Sequence, residues 1–145
     1  MEDGGGRDRF QDLREANERF YRALEGLDLA GMDEVWHHGA DVRCIHPGWD
    51  ALLGWDAVRA SFDQIFTSTR WIRVIPTDVR LQVIGDVGLV ACSENITATQ
   101  DDDVGVAVAQ ATNVFRQTAQ GWRMILHHAS PAPVRVTQPF SGTVQ

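Results

Sequence analysis

The chain has 145 residues, of which 43% are hydrophobic, and a formal net charge of −7. That size and apolar content suit one globular domain with a sizeable core rather than a disordered segment. The negative balance argues against nucleic acid or an anionic membrane surface as partner, since both favour basic proteins. No apolar run reaches the length that crosses a bilayer.

Residues Met1 to Arg7 are Gly-rich and charged. They read as a disordered start and not as a signal peptide. From Asp8, a good N-cap, Phe10, Leu13, Phe20, Leu24 and Leu27 recur at helical spacing, and Gly26 closes that first helix. Asn17 falls on the same stripe. Asp28 caps a second, shorter helix with Met32, Val35 and Trp36 on its apolar side and Gly39 at its end. Ala40 to His46 reads as a strand. Pro47 lacks the N–H that would continue it and biases His46 toward extended backbone, so the strand stops there and Gly48-Trp49 turn away. A third helix runs from about Trp55 to Thr67 on Val58, Phe62, Ile65 and Phe66, with Asp56 in its first turn.

From Trp71 the period changes to two. Val79, Leu81 and Val83 alternate with polar residues, and turns at Gly85-Asp86, Asp101-Asp102-Asp103 and Ala119-Gln120-Gly121 separate four strands. Three helices followed by an antiparallel meander predict an α+β fold, the helices packed on one face of a curved sheet. Such a sheet leaves a cone-shaped hollow. The whole chain, 1–145, is expected to be a single domain, with Pro131 to Gln145 as an extended tail.

The candidate chemistry follows from parity. Trp122, Met124 and Leu126 share one face of the last strand, which places His128 with them and His127 on the other side. Glu94 stands in register with Val90, Cys92 and Ile96, and a carboxylate on an apolar face must be hydrogen-bonded, paired or neutral. Asn113 follows Ala107, Ala109 and Ala111, whose small side chains leave room, and can donate a hydrogen bond to a substrate oxygen. Tyr21, the single tyrosine, lies beside the stripe of the first helix. His46 ends an apolar strand next to Trp49, as the floor of a pocket would. Trp36, Trp49, Trp55, Phe115 and Leu126 are the expected pocket walls. The two histidine pairs and the aspartate run lack metal-ligand spacing, so neither a metal nor another cofactor is expected. Serine-nucleophile and phosphate-loop motifs are absent from the sequence.

The order of elements, with Cys44-Ile45-His46-Pro47-Gly48-Trp49 and the closing Gly121-Trp122-Arg123-Met124-Ile125-Leu126-His127-His128-Ala129-Ser130-Pro131, resembles the nuclear transport factor 2-like superfamily. Within it the chain is similar to the SnoaL-like and ketosteroid-isomerase-like branch. The resemblance covers roughly Phe10 to Pro131 and implies a cone-shaped fold that serves many activities. In ketosteroid isomerases the residue before the proline that closes the first strand is a catalytic aspartate; here it is His46. The oxyanion-hole aspartic acid falls at Asn113, and the catalytic tyrosine at or beside Tyr21, with Phe20 an equal match. The resemblance therefore implies a small-molecule pocket. It would act in cofactor-free isomerisation, cyclisation or dehydration, with His46 as general acid or base and Glu94 or His128 as the second titrating group. The His-His-Ala-Ser-Pro ending is also similar to the association domain of calcium/calmodulin-dependent protein kinases, which implies a non-catalytic dimerising or ligand-binding module as the alternative. Either way a homodimer is expected through the outer face of the sheet, because both parities of Val104 to Phe115 are largely apolar. Cys44 and Cys92, in a chain without a secretion signal, read as reduced core thiols, and the Asn95-Ile96-Thr97 sequon has no meaning in the expected cytoplasmic protein.

Overall fold

The structure is a computed structural model that describes residues 8–133. The expected disordered start at Met1 to Arg7 and most of the expected tail lie outside the described residues. Helix α1 is Arg9–Glu25; the Asp8 carboxylate accepts from the Phe10 N–H at its start, and Gly26 caps its end. Helix α2 is Leu29–Val35, capped by Asp28 through the Gly31 N–H. It stops at Trp36, four residues after Met32, and does not reach Gly39, because Trp36 turns extended and forms a bridge to Met124. Strand β1 covers only Arg43–Ile45, and a two-residue strand β2, Leu52–Leu53, pairs back on it. Helix α3 is Trp55–Ser68. The meander then follows as β3 (Trp71–Ile84), β4 (Val87–Gln100), β5 (Asp103–Thr118) and β6 (Gly121–Ala132).

These strands form one six-stranded sheet in the order β2-β1-β6-β5-β4-β3. It is mixed: β1 runs parallel to β6, which the expected meander alone does not contain. Pro131 and Ala132 belong to β6, so the strand runs two residues into the segment expected as tail. The helices cover the concave face, and the α+β cone predicted from the sequence is the fold observed. Leu13, Phe20, Met32, Trp36, Phe62, Phe115 and Met124 fill the space between layers and are almost completely buried. Each contributes on the order of 2 kcal/mol through removal of apolar surface from water. Phe10, expected on the apolar stripe, lies half exposed at the open start of α1. Where α1 crosses β4, a Cβ on Gly88 would come within 2.7 Å of the Leu13 side chain, so only glycine permits that approach. No helix among the described residues is long and apolar enough to cross a membrane.

Two irregularities steer the side chains. In β3, Asp78 and Val79 together oppose Cys92, with Asp78 at φ +54°, so β3 bulges. In β6, Leu126 pairs with Val114 and Met124 with Phe115, which leaves Ile125 as an extra residue. One inserted residue reverses parity for everything that follows it. The free edge at β3 is blunted: the Val74 N–H is capped by the Glu25 carboxylate at 2.9 Å, and Pro76 has no N–H to offer.

Candidate functional site

The β6 bulge decides which histidine faces inward. Trp122 and Met124 are buried, and after Ile125 the buried parity passes to His127 and Ala129. His128 is exposed on the outer face, and Leu126 shares that face with Val114, so the expectation for both is corrected. A strict period of two holds only while each residue has a partner across the ladder. His127 pairs with Asn113 on β5 and with Cys44 on β1, while Asn113 pairs with Val90 on β4. Cys44, His127, Asn113 and Val90 therefore form one row across the concave face.

A directed hydrogen-bond chain crosses this row. Asn113 Oδ1 can only accept, so the 2.6 Å contact is donation from His127 Nδ1–H. Asn113 Nδ2 in turn donates to Asn17 Oδ1 at 2.9 Å and to the Tyr21 hydroxyl at 3.1 Å. The Tyr21 hydroxyl donates to Glu94 Oε2 at 2.6 Å and touches Cys92 Sγ at 3.3 Å. All five polar residues are buried. Burial pushes the Glu94 carboxyl pKa upward against the lowering effect of the Tyr21 bond. Burial, with the neighbouring Glu94 and Cys92 charges, also raises that of Tyr21, which keeps its proton. His127 is held neutral, its pKa lowered to about 3 by burial and by the charges of His46 and His128.

The chain opens onto a hollow. A cavity of about 390 Å³ lies between α1 and β3, walled by Val74, Pro76, Val79 and Leu81 and rimmed by Arg14, Glu18, Arg22 and Glu25. Asn17 and Tyr21 complete its lining. Because Asn17 Oδ1 is turned to Asn113, its amide NH2 is the end left for the hollow, and among the described residues that nitrogen has no hydrogen-bond partner.

His46 is buried as well, but in a separate cage. Its Nε2 lies 2.9 Å from Ser61 Oγ, whose own proton goes to the Val58 carbonyl, so His46 is the donor of that pair. Phe62 and Trp49 stand edge-on to the ring, and Cys44 Sγ is 3.5 Å from Nε2. Gly48 at φ +83° makes the turn that brings Trp49 back, with the Trp49 N–H on the His46 carbonyl. Burial lowers the His46 pKa to about 4. The His46 and His127 ring centres are 6.3 Å apart, yet His46 does not line the hollow between α1 and β3. The expected shared cavity of His46, Asn113 and Glu94 or His128 is therefore corrected: Asn113 and Glu94 lie behind Tyr21, and His46 lies on the far side of the Phe20 and Phe62 packing.

The expected aromatic walls are also elsewhere. Trp36 and Phe115 are core, Trp55 stacks on His38, Trp49 covers His46 while itself 38% exposed, and Leu126 faces outward. None of the five lines this hollow, because helix α3 carries the aromatic packing and the hollow opens on the opposite flank, beside α1. Sequence reasoning placed no role on Asn17 or His127. An amide on an apolar helical stripe was the available signal for Asn17; nothing short of the bulge could have found His127. Among the described residues no group of three or more His, Cys, Asp or Glu side chains is gathered to hold a metal ion.

Comparison with known proteins agrees with this architecture. The chain is similar to a candidate dehydratase of the NTF2-like family from Streptomyces avermitilis, with 36% identity, a TM-score of 0.81, and coverage of 86% of this chain and 96% of that one. It is also similar to a candidate calcium/calmodulin-dependent protein kinase type II association domain from Thiobacillus denitrificans, at 34% identity and TM-score 0.70 over 81% and 93% of the two chains. An NTF2-like superfamily protein from Salmonella enterica, 16% identical, shares the fold at TM-score 0.80 over 91% and 97%. The comparison with curated proteins found no match. The model of the SnoaL-like domain matches residues 13–135, nearly all of the described structure, and the chain belongs to that family within the nuclear transport factor 2-like superfamily.

Proposed function

We propose that the hollow between α1 and β3 binds a small, mostly apolar, oxygen-bearing molecule and that the protein moves a proton on it without a cofactor, in an isomerase- or dehydratase-type reaction. The observation that carries this reading is the site's construction: an apolar wall ends on two buried polar groups, Asn17 and Tyr21, with a carboxyl group directly behind one of them. The substrate oxygen rests on the Asn17 amide and the Tyr21 hydroxyl, where a donor in a water-poor site stabilises developing negative charge. For that step the neutral Glu94 carboxyl becomes the donor to the Tyr21 oxygen, the reverse of the resting bond: the Tyr21 proton passes to the substrate oxygen, the Glu94 proton replaces it, and both return when the product forms. Glu18 and Glu25, on the same lining, are the carboxylates placed to take a carbon-bound proton. The similarity to a candidate dehydratase supports the reaction class. His46 stands outside this site and is not its base.

Val79→Trp fills the hollow from its half-exposed rim. The test is native purification followed by mass spectrometry of released small molecules. A molecule retained by the unaltered protein and lost from Val79→Trp is the expected result. Retention unchanged in Val79→Trp and in Asn17→Leu would sink the reading. On the identified molecule, Tyr21→Phe lowers turnover on the order of a hundredfold, the usual cost of removing one such donor.

The second reading, a dimerising module, rests on the exposed Val104 and Val106 of β5 and on the similarity to a candidate kinase association domain. It requires no turnover, only self-association through the outer sheet face, and it is compatible with a ligand in the hollow.

A further inference from the structure

We propose that His127 is a positioning residue that sets the hydrogen-bond polarity of the hollow, so that the site presents donors and selects a ligand group that accepts. This inference rests on the reading that the hollow holds the ligand oxygen at Asn17 and Tyr21. The side-chain amide of Asn113 can sit in two orientations that differ by half a turn and fill the same space. With Oδ1 toward His127, both Nδ2 protons go to Asn17 Oδ1 and to the Tyr21 oxygen. Asn17 must then turn its own NH2 to the hollow, and Tyr21 keeps its proton for Glu94 or a ligand. In the opposite orientation Asn113 Oδ1 would face both neighbours. The Tyr21 proton would be consumed inside the network, and Asn17 would reverse to satisfy it, presenting a carbonyl oxygen to the hollow.

What selects between the two is the ring that Asn113 meets on its other side. A neutral imidazole has one donor and one acceptor nitrogen. When Nδ1 carries the proton, only Asn113 Oδ1 can face it; when Nε2 carries it, Nδ1 is an acceptor and the amide nitrogen must turn to it. The tautomer of His127 is thus transmitted through two amides to the surface of a cavity that the histidine does not line. Burial keeps the ring neutral, its pKa lowered to about 3, which makes the tautomer rather than the charge the deciding variable. The ligand class that follows has a carbonyl, ether or carboxylate oxygen at its polar end, and not an amine or amide N–H.

The test uses the full chain labelled with 15N-histidine, 15N-asparagine and 13C-tyrosine at Cζ; the single tyrosine gives one unambiguous resonance. At pH 7 the unaltered protein is expected to show His127 protonated at Nδ1 and bare at Nε2. Protonation at Nε2 instead would overturn the proposal on the unaltered protein alone, whether or not a variant folds. His127→Phe is expected to shift the Tyr21 Cζ resonance, whereas His38→Phe, on the exposed surface, leaves it in place. An unmoved Tyr21 signal in a folded His127→Phe protein would also overturn it. Titration with cyclohexanone, an acceptor-only probe, and with aniline, a donor, then reads the polarity. Cyclohexanone is expected to shift the Asn17 side-chain NH2 resonances in the unaltered protein and lose that effect in His127→Phe. Aniline shifting them as strongly as cyclohexanone would overturn the selectivity. The Nδ1–H tautomer together with no response to either probe would support the internal positioning and count against the hollow as the binding site.

Discussion

Two buried histidines lie 6.3 Å apart in this core, and they are built into it in different ways. His46 sits at the end of a three-residue strand, in a cage of aromatic rings with one hydroxyl partner, Ser61. His127 sits mid-sheet and begins a chain that passes through Asn113 to Asn17, Tyr21 and Glu94. Both are neutral because burial penalises the charged ring. The difference is connection. The His46 cage ends where it begins, while the His127 chain reaches the lining of a hollow. Titratable groups at the end of an apolar strand invite a catalytic reading, yet a group can act on a ligand only through atoms that touch it or through a continuous line of partners.

The comparison is broken most directly by removing one partner from each region. Asn113→Leu leaves the His127 Nδ1–H and Asn17 Oδ1 without a partner in the core, while Tyr21 keeps its bond to Glu94, and is expected to destabilise the fold by about 2 kcal/mol or more, since every buried group so orphaned costs about 1 kcal/mol or above. Ser61→Ala orphans a single His46 N–H and should cost about 1 kcal/mol. Urea unfolding of both variants checks this; equal midpoints would show that the chain is no more cooperative than the cage.

The pH dependence of stability separates the same groups. Both histidines have folded pKa values below the unfolded value of about 6.5, so the unfolded chain binds more protons and stability falls as pH drops from 7 toward 4. The slope is up to about 1.4 kcal/mol per pH unit for each ring. Glu94 has the opposite sign: its folded pKa is raised, so its protonated form favours folding, and that contribution is lost as pH rises from the unfolded carboxyl value through the folded one. Glu94→Gln is expected to flatten the loss on the alkaline side while leaving the acid limb. Denaturation midpoints across that range provide the measurement, and an unchanged profile in Glu94→Gln would remove Glu94 as a raised carboxyl.

Smaller effects lie outside both regions. Cys44 and Cys92 are buried free thiols with pKa values pushed up by burial, so labelling of the native protein by a thiol reagent should be slow for both. Fast labelling of Cys92 alone would indicate access from the cleft that it lines with Asp78 and Arg80 at the β3 bulge. Val106→Lys, on the outer face of β5, is expected to weaken a homodimer and leave ligand retention intact; sedimentation at micromolar concentration showing a monomer before substitution would withdraw the dimer.

The sequence by itself determined where the helices start, the four long strands and their turns, because caps, periodicity and turn residues act within a few neighbours: Asp8, Asp28 and Gly85 mark those boundaries, whereas α2 ends at Trp36 and not at Gly39 because Trp36 pairs with Met124. It also singled out Asn113 and Glu94, since a polar residue on an apolar face must find a partner if it is buried, and Tyr21 as the single tyrosine beside the stripe of the first helix. Which partner it finds is a tertiary matter. The extra residue at Ile125 arises from the fit of β6 against β5 and inverted the parity that sequence alone assigns to His127 and His128. The hollow formed beside α1 and not beneath His46 because α3 brings Phe62 against that ring and closes the space there, while Gly88 lets α1 settle at its own end and leaves room along β3. Periodicity records which side of an element avoids water; only packing between elements decides where the space between them remains.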